Sequence, residues 1–293
     1  MGAKSFKPWA RWDPRVKIES SLRALNKYQL GFKDVVVATS VETAKTAATI
    51  VLNHGCTGWY FLQHVETWSL GSTYLDETLH YPLHKVAVAP WIRDYCVRIG
   101  ESCEVVLNAV GTNGFPLGRH DSERRFVSTL LSPGIPLKRT DLGIKVLNIL
   151  ATRDYPATAF GTGPRPRDLD QRVQYKRKPT HKELVSLYQH SRVFFCMSQS
   201  EGFGLTPAEA TLCGSAIVST NNGGVEAYAE SFAKFTGQPN VERTVSAIVE
   251  LMQNPAEANL RAKRGRRVLL SYPPEAAAKK FADTVLGVHA FRG

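Results

Sequence analysis

The sequence contains no apolar run long enough to cross a membrane. Its longest unbroken apolar stretches, such as Val193–Met197, are far shorter than the roughly 20 residues that a helical span requires. Residues 1–17 contain no apolar segment of the kind that leads a secreted protein, so we expect no secretory signal. Disorder is excluded as well, because 43% of the 293 residues are apolar and only 22% are charged. We therefore expect a globular, cytoplasmic protein.

Cysteine is scarce and is not arranged for zinc. The five cysteines include no C-x-x-C pair, and Cys96 and Cys103 have no histidine nearby at ligand spacing. We expect them to be buried thiols in a reducing compartment. The dinucleotide-binding pattern G-x-G-x-x-G is also absent.

Positive charge is in excess and is unevenly distributed. The formal net charge is +11 at pH 7, and residues 119–182 carry 14 Lys and Arg against 6 Asp and Glu. A second basic segment, Arg261–Arg267, contains five bases and no acid. This balance indicates a nucleic acid, a membrane surface or a small polyphosphate as partner, or else a solvated face. We expect no nucleic acid, because aromatic residues are not interleaved with the basic runs as base stacking requires.

Periodicity predicts an α/β protein in two Rossmann-like halves, which the Gly- and Pro-rich segment 108–118 joins. Strand runs alternate with helical runs, a pattern typical of parallel sheets covered on both faces. Strands are predicted over 34–38, 58–63, 85–89, 104–107, 125–131, 157–160, 172–175, 193–197 and 216–219. Helices are predicted over 41–52, 73–81, 140–150, 180–189, 207–213, 241–253, 255–270 and 274–288, with another beginning at Pro90.

One loop of the second half carries most of the chemistry. A buried strand runs into a Gly-rich turn and then a helix, which we expect Thr206 to cap. Ligands of open α/β sheets bind outside the carboxyl ends of strands, where helix N-termini attract anions. Gly202 and Gly204 allow close approach of a ligand to the backbone. Glu201 precedes the turn and Glu209 follows in the first helical turn, so both can face one crevice. The alternatives are a solvated loop residue for Glu201 and a carboxylate complementing the helix dipole for Glu209.

The motifs around this loop resemble those of a known enzyme family. The segments SEGFGLTPAEA and CGSAIVSTNNGG are similar to the Glu-seven-residues-Glu signature of retaining GT-B glycosyltransferases, glycosyltransferase family 4. LNAVGTNGFPL resembles the stretch between the two domains of that family, and YFLQHVETWSLGSTYLDETLHYPLHKVAVAPWIRDY resembles its rhamnosyltransferase-like branch. The resemblance covers residues 34–288 and implies two Rossmann-like domains facing a cleft.

The resemblance also implies a division of the chain. Residues 1–118 would form an acceptor-side domain that is incomplete at its start, and residues 119–273 a donor-binding domain. Residues 274–293 would form a C-terminal helix packing back on the N-terminal domain. Family members carry a further strand, a Gly-rich loop and a long helix before the region of Asp34, where this sequence has 33 residues. We expect a fragment, a compact variant, or a fold completed by a partner chain or a homo-oligomer.

The donor site that the resemblance implies lies mostly in the second half. Glu209 would hold the ribose hydroxyls and Glu201 the donor sugar near the reacting carbon. The diphosphate would be held by Lys138 and Arg139, for which the alternative is a solvated helix start. The sugar and distal phosphate would be bound by Gly202, Phe203, Gly204, Leu205 and Thr206. The nucleobase would pack near Tyr175 and the residues up to Lys178.

Two residues of the first half would face the same crevice. His64 and Glu66 follow a predicted strand, in the place where the nearest branch has a Q-D-x-E sequence. His64 replaces the Asp of that pattern. Either it lies near the acceptor hydroxyl, or it is a histidine satisfied by its surroundings or facing solvent.

No metal or cofactor is expected. Asp168-Leu-Asp170 is a D-x-D sequence, the metal-binding pattern of the other glycosyltransferase fold, but here it follows Pro-Arg-Pro-Arg in a predicted loop. We interpret this match as chance.

The resulting hypothesis is a retaining enzyme that transfers a hexose or deoxyhexose from a nucleotide-sugar to a hydroxyl acceptor. The acceptor is left open as a glycan or other carbohydrate, a lipid-linked molecule or a protein. The alternative is a non-catalytic subunit that binds a nucleotide-sugar or glycan and needs a partner chain for activity. Because Arg261–Arg267 lies on a predicted helix, a peripheral contact with anionic lipid is the alternative to a solvated helix face.

Overall fold

Two parallel sheets with flanking helices make up the fold in the computed structural model, which describes residues 13–17, 29–118 and 124–287. The N-terminal sheet has the order β1-β2-β3-β4. Its strands are β1 (Val35–Ala38), β2 (Thr57–Leu62), β3 (His84–Ala87) and β4 (Glu104–Val105). The helices between them are α1 (Val41–His54), α2 (Thr67–Leu70), α3 (Ser72–Leu79) and α4 (Pro90–Arg98).

The C-terminal sheet has the order β7-β6-β5-β8-β9-β10, and every pair of neighbours is parallel. Its strands are β5 (Phe126–Leu130), β6 (Ala157–Gly161), β7 (Gln174–Arg177), β8 (Ser191–Cys196), β9 (Ala216–Ser219) and β10 (Lys234–Phe235). The helices that follow β5 along the chain are α5 (Thr140–Thr152), α6 (His181–His190), α7 (Leu205–Cys213), α8 (Glu226–Ala229), α9 (Val241–Gln253), α10 (Pro255–Leu270) and α11 (Pro274–Gly287). The strand order reverses between β5 and β8, the point at which open α/β sheets bind ligands.

The predicted α/β class with two Rossmann-like halves is confirmed. The local signals at helix ends explain much of the agreement. Thr180 and Glu183 form the expected capping box of α6, in which the Glu183 carboxylate accepts from the Thr180 amide at 2.9 Å. Gly55 ends α1 in a left-handed conformation, with φ of 66°.

Three local predictions are wrong. Helix α7 begins at Leu205 after Gly204, so Thr206 lies inside the helix and does not cap it. Strand β7 is shifted two residues along the chain from the predicted 172–175, because the Asp170 carbonyl and carboxylate accept from the amides of Val173 and Arg172 in a turn. The short elements α2, α8 and β10 were not predicted; four-residue helices and two-residue strands are too short to show a hydrophobic period.

Helix α11 packs on the N-terminal sheet. The ring of Phe281 lies edge-on to that of Phe61, with 5.2 Å between centroids. Val285 is buried in a cluster with Trp59 of β2 and Val86 of β3. The last described helix of the chain therefore covers a face of the first sheet.

The two domains share apolar packing next to the switch point. Phe203, Ala208 and Leu212, from the loop after β8 and from α7, belong to the same buried cluster as residues of β1, α1, β3 and α4. This packing fixes the loop after β8 against the N-terminal domain. Within the described residues, no helix combines the length and apolarity needed to cross a membrane.

Helix α10 carries the basic segment Arg261–Arg267. The guanidinium of Arg261 pairs with Glu257 at 2.7 Å, and that of Arg266 donates to the carbonyl of Leu212. Arg261 and Arg266 thus contact the protein itself. A peripheral membrane contact of this helix stays a prediction.

Candidate functional site

The site lies where the loops after β5 and β8 meet, at the switch point of the C-terminal sheet. After β5 the chain forms a short 3-10 helix, Pro136–Lys138. The amide of Gln199, in the loop after β8, donates to the carbonyl of Leu137 at 2.7 Å. This hydrogen bond holds the two loops side by side and brings Lys138 next to the acidic loop.

Glu201 is buried and ion-paired at this junction. Its side chain accepts from Lys138 Nζ at 2.7 Å on both carboxylate oxygens and from Ser198 Oγ at 2.6 Å. Its own amide donates to the carbonyl of Asn222 at 3.0 Å. With 7% of its surface exposed, Glu201 is not the solvated loop residue that was the alternative interpretation. A carboxylate held in this way is oriented without needing a ligand.

Removing Lys138 should destabilise the protein, because the Glu201 carboxylate would stay buried without its cation. The hydroxyl of Ser198 would still donate a hydrogen bond to it. We expect Lys138→Ala to lower the free energy of unfolding by about 1–2 kcal/mol. This is less than the loss typical of a fully buried pair, because the Lys138 side chain is about one quarter exposed. The double variant K138M/E201Q should recover part of this loss, because no charge remains buried. Urea unfolding of both variants measures the effect; an unchanged free energy of unfolding in Lys138→Ala would contradict this description of the pair.

Arg139 does not join Lys138 at the glutamate. It adopts a left-handed conformation with φ of 45°, and its guanidinium turns to Asp141 at 3.1 Å. Hydrogen bonds from Arg139 hold the pKa of Asp141 below its usual range. The two neighbouring bases therefore point to different partners.

Gly204 opens helix α7. Its φ of 86° is in the left-handed region that favours glycine, and a Cβ at this position would lie 2.7 Å from Val225 Cγ2. The hydroxyl of Tyr228 donates to the Gly204 carbonyl at 2.8 Å. The first helical residues are Leu205, which is exposed, and Thr206, whose backbone amides have no partner within the helix. The side chain of Phe203 is buried and packs on the ring of Tyr228 at 4.7 Å.

Glu209 is half-buried on the second turn of α7, one turn later than predicted. No acidic residue occupies the first turn, so Glu209 does not cap the helix dipole. Its Oε2 accepts from the hydroxyl of the buried Tyr188 at 3.1 Å. Burial raises the pKa of Glu209 to about 6. Burial raises the pKa of the nearby Tyr228, and the charges of Glu201 and Glu209 raise it further.

His64 comes from the N-terminal domain and contacts the acidic loop. Its Nε2 lies 3.2 Å from Ser200 Oγ, and its Nδ1 lies 3.1 Å from the carbonyl of Val65. The ring is held edge-on between Trp68 and Trp91, with centroid distances of 4.7 and 5.1 Å. Burial lowers the pKa of His64, against the smaller opposing effects of the hydrogen bond with the Val65 backbone and of the charge of Glu201. His64 is therefore a partly buried imidazole that bridges the two domains.

Glu66, the other residue proposed on the N-terminal side, faces a different group. Its carboxylate accepts from the amide of Val41 at 2.7 Å and so satisfies the first turn of α1. Burial raises the pKa of Glu66, and the charge of Glu42 adds to this effect. The structure thus brings Glu66 to the start of α1 and not to Glu201.

Tyr175 lies on β7, the edge strand that pairs with β6, and Lys178 follows that strand. The Tyr175 hydroxyl donates to the carbonyl of Gly163 at 2.9 Å. Lys178 is exposed in a left-handed conformation with φ of 47°, and its amide donates to Gly161 at 2.7 Å. A cleft of about 960 Å³ opens beside Gly163 at the carboxyl ends of β5 and β6. Its lining comes from residues 132–136, 140, 141, 144 and 162–168.

Sequence reasoning missed the contacts that join the two domains here. The indole Nε1 of Trp91 donates to the carbonyl of Gly202 at 3.3 Å, across 111 positions of sequence. A Cβ on Gly202 would lie 1.9 Å from the carbonyl oxygen of Gln63, and one on Gly223 would lie 2.6 Å from the indole of Trp91. The motifs of the family resemblance include Gly202, Gly223 and Trp91. They did not reveal these contacts, because the partners are remote in sequence.

The D-x-D sequence forms no site of its own. Hydrogen bonds from Arg172 lower the pKa of Asp170 to about 2. Across residues 13–17, 29–118 and 124–287, no three His, Cys, Asp or Glu side chains are grouped to hold a metal ion. Independence from metal ions stays a prediction.

The C-terminal half of the chain matches a protein-family model over part of its length. Residues 167–268 match the model described as Glycosyl transferases group 1, a span that includes both Glu201 and Glu209. No curated protein matches the chain. This part of the chain is therefore similar to the glycosyltransferase group 1 model.

Solved structures share the whole two-domain arrangement. Sucrose-phosphate synthase from Thermosynechococcus elongatus has a TM-score of 0.75 at 15% identity, over 87% of this chain and 74% of its own. HepE from Anabaena, in complex with UDP and glucose, has a TM-score of 0.75 at 15% identity, over 89% of this chain and 79% of the HepE chain. A glycosyltransferase from Rickettsia africae ESF-5 has a TM-score of 0.76 at 14% identity, over 95% of this chain and 85% of the Rickettsia chain. The fold is thus the GT-B fold of glycosyltransferases.

Proposed function

We propose that the protein is a retaining glycosyltransferase of family 4 that moves a hexose or deoxyhexose from a nucleotide-sugar to a hydroxyl acceptor. The observation that carries this proposal is the Glu201–Lys138 pair at the switch point, beside the N-terminus of α7 and the imidazole of His64. A preformed carboxylate, a cation and free helix amides converge there. These are the groups needed to hold a sugar, a diphosphate and the charge that develops when they separate.

The donor would lie along the C-terminal domain. Lys138 would exchange its bond to Glu201 for the diphosphate, which frees the carboxylate for sugar hydroxyls. Arg139 would turn from Asp141 to the same phosphates, since the pair with Asp141 is partly exposed. Glu209 would accept from the ribose hydroxyls, and the nucleobase would lie beside Tyr175 and Lys178. A nucleotide-sugar donor is further supported by HepE, a protein of the same fold solved in complex with UDP-glucose.

Charge stabilisation would be the main chemical contribution of these residues. When the glycosidic bond breaks, negative charge develops on the nucleoside diphosphate, where Lys138, Arg139 and the amides of Leu205 and Thr206 would stabilise it. The acceptor hydroxyl would approach from the side of the N-terminal domain, near His64. The neutral imidazole favoured by its lowered pKa has a nitrogen able to accept a proton.

The stereochemical claim has a direct test. The purified chain is incubated with a nucleotide-sugar and an acceptor glycoside, and the anomeric configuration of the first product is read by proton NMR. The proposal predicts the same anomeric configuration as in the donor. An inverted product would overturn the retaining assignment while leaving donor binding intact.

Donor binding should weaken in acid. The free protein holds the pKa of Glu209 at about 6, and ribose hydroxyls need the ionised form as acceptor. Affinity should therefore be level between pH 7 and 8, and should fall about tenfold by pH 5, where about a tenth of Glu209 is ionised. Calorimetric titration across this range measures it. Glu209→Gln is the control, because the nucleotide itself titrates in the same way whichever protein binds it. If the affinity of Glu209→Gln fell as steeply with pH as that of the wild type, Glu209 would not be the titrating group.

The second candidate function is a non-catalytic nucleotide-sugar or glycan-binding subunit. It is favoured by the size of the N-terminal sheet, which has four strands within the described residues against six in the C-terminal sheet. Such a subunit would need a partner chain or a second copy for activity. Turnover of donor and acceptor by the purified, monomeric chain would exclude it.

A further inference from the structure

Trp68 is exposed, yet it is held in a fixed position. It lies on the short helix α2, and 58% of its surface is accessible. The carboxylate of Glu42 accepts from Ser69 on the same helix, and Glu66 at its start accepts from the amide of Val41. These two bonds fasten α2 to α1 at both of its ends. The indole is thus fixed in place, although most of its apolar surface stays exposed to solvent.

The indole stands directly beside the proposed reaction centre. Its ring is 4.7 Å from that of His64, which in turn lies 3.2 Å from the hydroxyl of Ser200. Ser200 is the residue before Glu201. A molecule lying on Trp68 would therefore reach the loop that carries Glu201, from the side of the N-terminal domain.

Charge separates this side of the cleft from the donor side. Residues 57–83, which contain β2, α2 and α3, include no Lys or Arg but three acids: Glu66, Asp76 and Glu77. Over residues 29–118 there are five bases and eight acids, whereas residues 124–287 have 23 bases and 14 acids. A phosphate group on the acceptor would meet no cation from residues 57–83. This charge distribution favours an uncharged acceptor.

We propose that Trp68 is a stacking platform for a neutral saccharide acceptor. The flat apolar face of a pyranose ring packs its C–H groups on an indole, while its hydroxyls stay at the edge and bind polar groups. His64 and Ser200 supply such groups beside the ring. The inference rests on the proposed glycosyl transfer, of which it names the acceptor class: a carbohydrate, in preference to a lipid-linked phosphate or a protein side chain.

The test measures saccharide binding and nucleotide binding separately. The intact chain is titrated with a panel of p-nitrophenyl glycosides of neutral hexoses and deoxyhexoses, with farnesyl phosphate as the anionic comparison, and with UDP, GDP and dTDP. We expect at least one glycoside to bind and farnesyl phosphate not to. Trp68→Ala should weaken glycoside binding at least tenfold and leave the nucleotide Kd within twofold. Trp68→Phe should restore most of the affinity, because a flat ring is retained.

The outcomes distinguish the two proposals. Leu52→Ala removes another exposed apolar side chain, near the far end of α1, and should change neither binding constant. If the wild type binds a nucleotide but no glycoside, or if Trp68→Ala binds glycosides as the wild type does, the acceptor inference is wrong and the donor site stands. If farnesyl phosphate binds in preference, the acceptor is of the other class. If no nucleotide binds, the proposed function fails, and the glycoside titration still decides whether Trp68 binds saccharides.

Discussion

Replacing Gly202 with alanine should reduce glycosyl transfer at least 100-fold. The added Cβ would lie 1.9 Å from the carbonyl oxygen of Gln63, which is backbone and cannot turn away as a side chain would. The loop would have to retreat from the N-terminal domain. It would lose the hydrogen bond from Trp91 to the Gly202 carbonyl and would displace Glu201, the preceding residue. Small displacements of groups that position a substrate are expected to cost this much in rate.

Rate and stability must both be measured on this variant. Overpacking of one methyl group costs about 1–3 kcal/mol. Gly202→Ala should therefore unfold at a lower temperature than the wild type but remain folded at 25 °C. The rate is followed as release of nucleoside diphosphate, and stability by thermal unfolding. Gly31→Ala is the matched control, because nothing lies within 4 Å of a Cβ at that position. A Gly202→Ala enzyme that retained half of the wild-type rate would contradict the proposed closeness of the two domains at the reaction centre.

Glu209→Ala should lower affinity for the nucleotide about 100-fold. A carboxylate that accepts from two ribose hydroxyls makes two charge-assisted hydrogen bonds, together about 3 kcal/mol. Glu209→Gln keeps one acceptor oxygen and should lose about tenfold. The measurement is calorimetric titration with the nucleotide that the wild type binds.

Tyr188→Phe is the control for this second prediction. It removes the hydroxyl that donates to Glu209 Oε2, a bond that lowers the pKa of Glu209 against the larger effect of burial. The carboxylate would remain, with a pKa raised further above its usual range. Affinity at pH 7.5 should therefore change at most threefold, with a larger deficit at pH 6. Unchanged binding by Glu209→Ala would remove Glu209 from the donor site.

The outline of the fold could be predicted because its signals are local. Alternation of apolar residues marks the strands, and pairs such as Thr180 and Glu183 mark helix starts. The start of α7 was set too late because Pro207 was taken as the first helical residue. The first four amides of a helix have no partner within it, so proline is equally compatible with the third position, where it lies here.

The candidate site was only partly predictable, for a different reason. The sequence placed Glu201, Lys138 and the glycines in one region, but it gave no information on which groups they contact. Glu66 accepts from the first amide of α1, 25 positions away, and the Arg139 guanidinium pairs with Asp141 and not with Glu201. The domain contacts at Trp91 depend on packing across the interface, which no spacing reveals.

The central claim is that this chain holds a nucleotide-sugar between Lys138, Glu201 and Glu209. Its most direct test is calorimetric titration of the purified chain with UDP, GDP and dTDP and with their common sugars. We predict saturable binding of one nucleotide with a stoichiometry of about one, since the chain has a single glycosyltransferase group 1 match. Absence of binding by every nucleotide and nucleotide-sugar, from a chain that unfolds cooperatively, would contradict the claim.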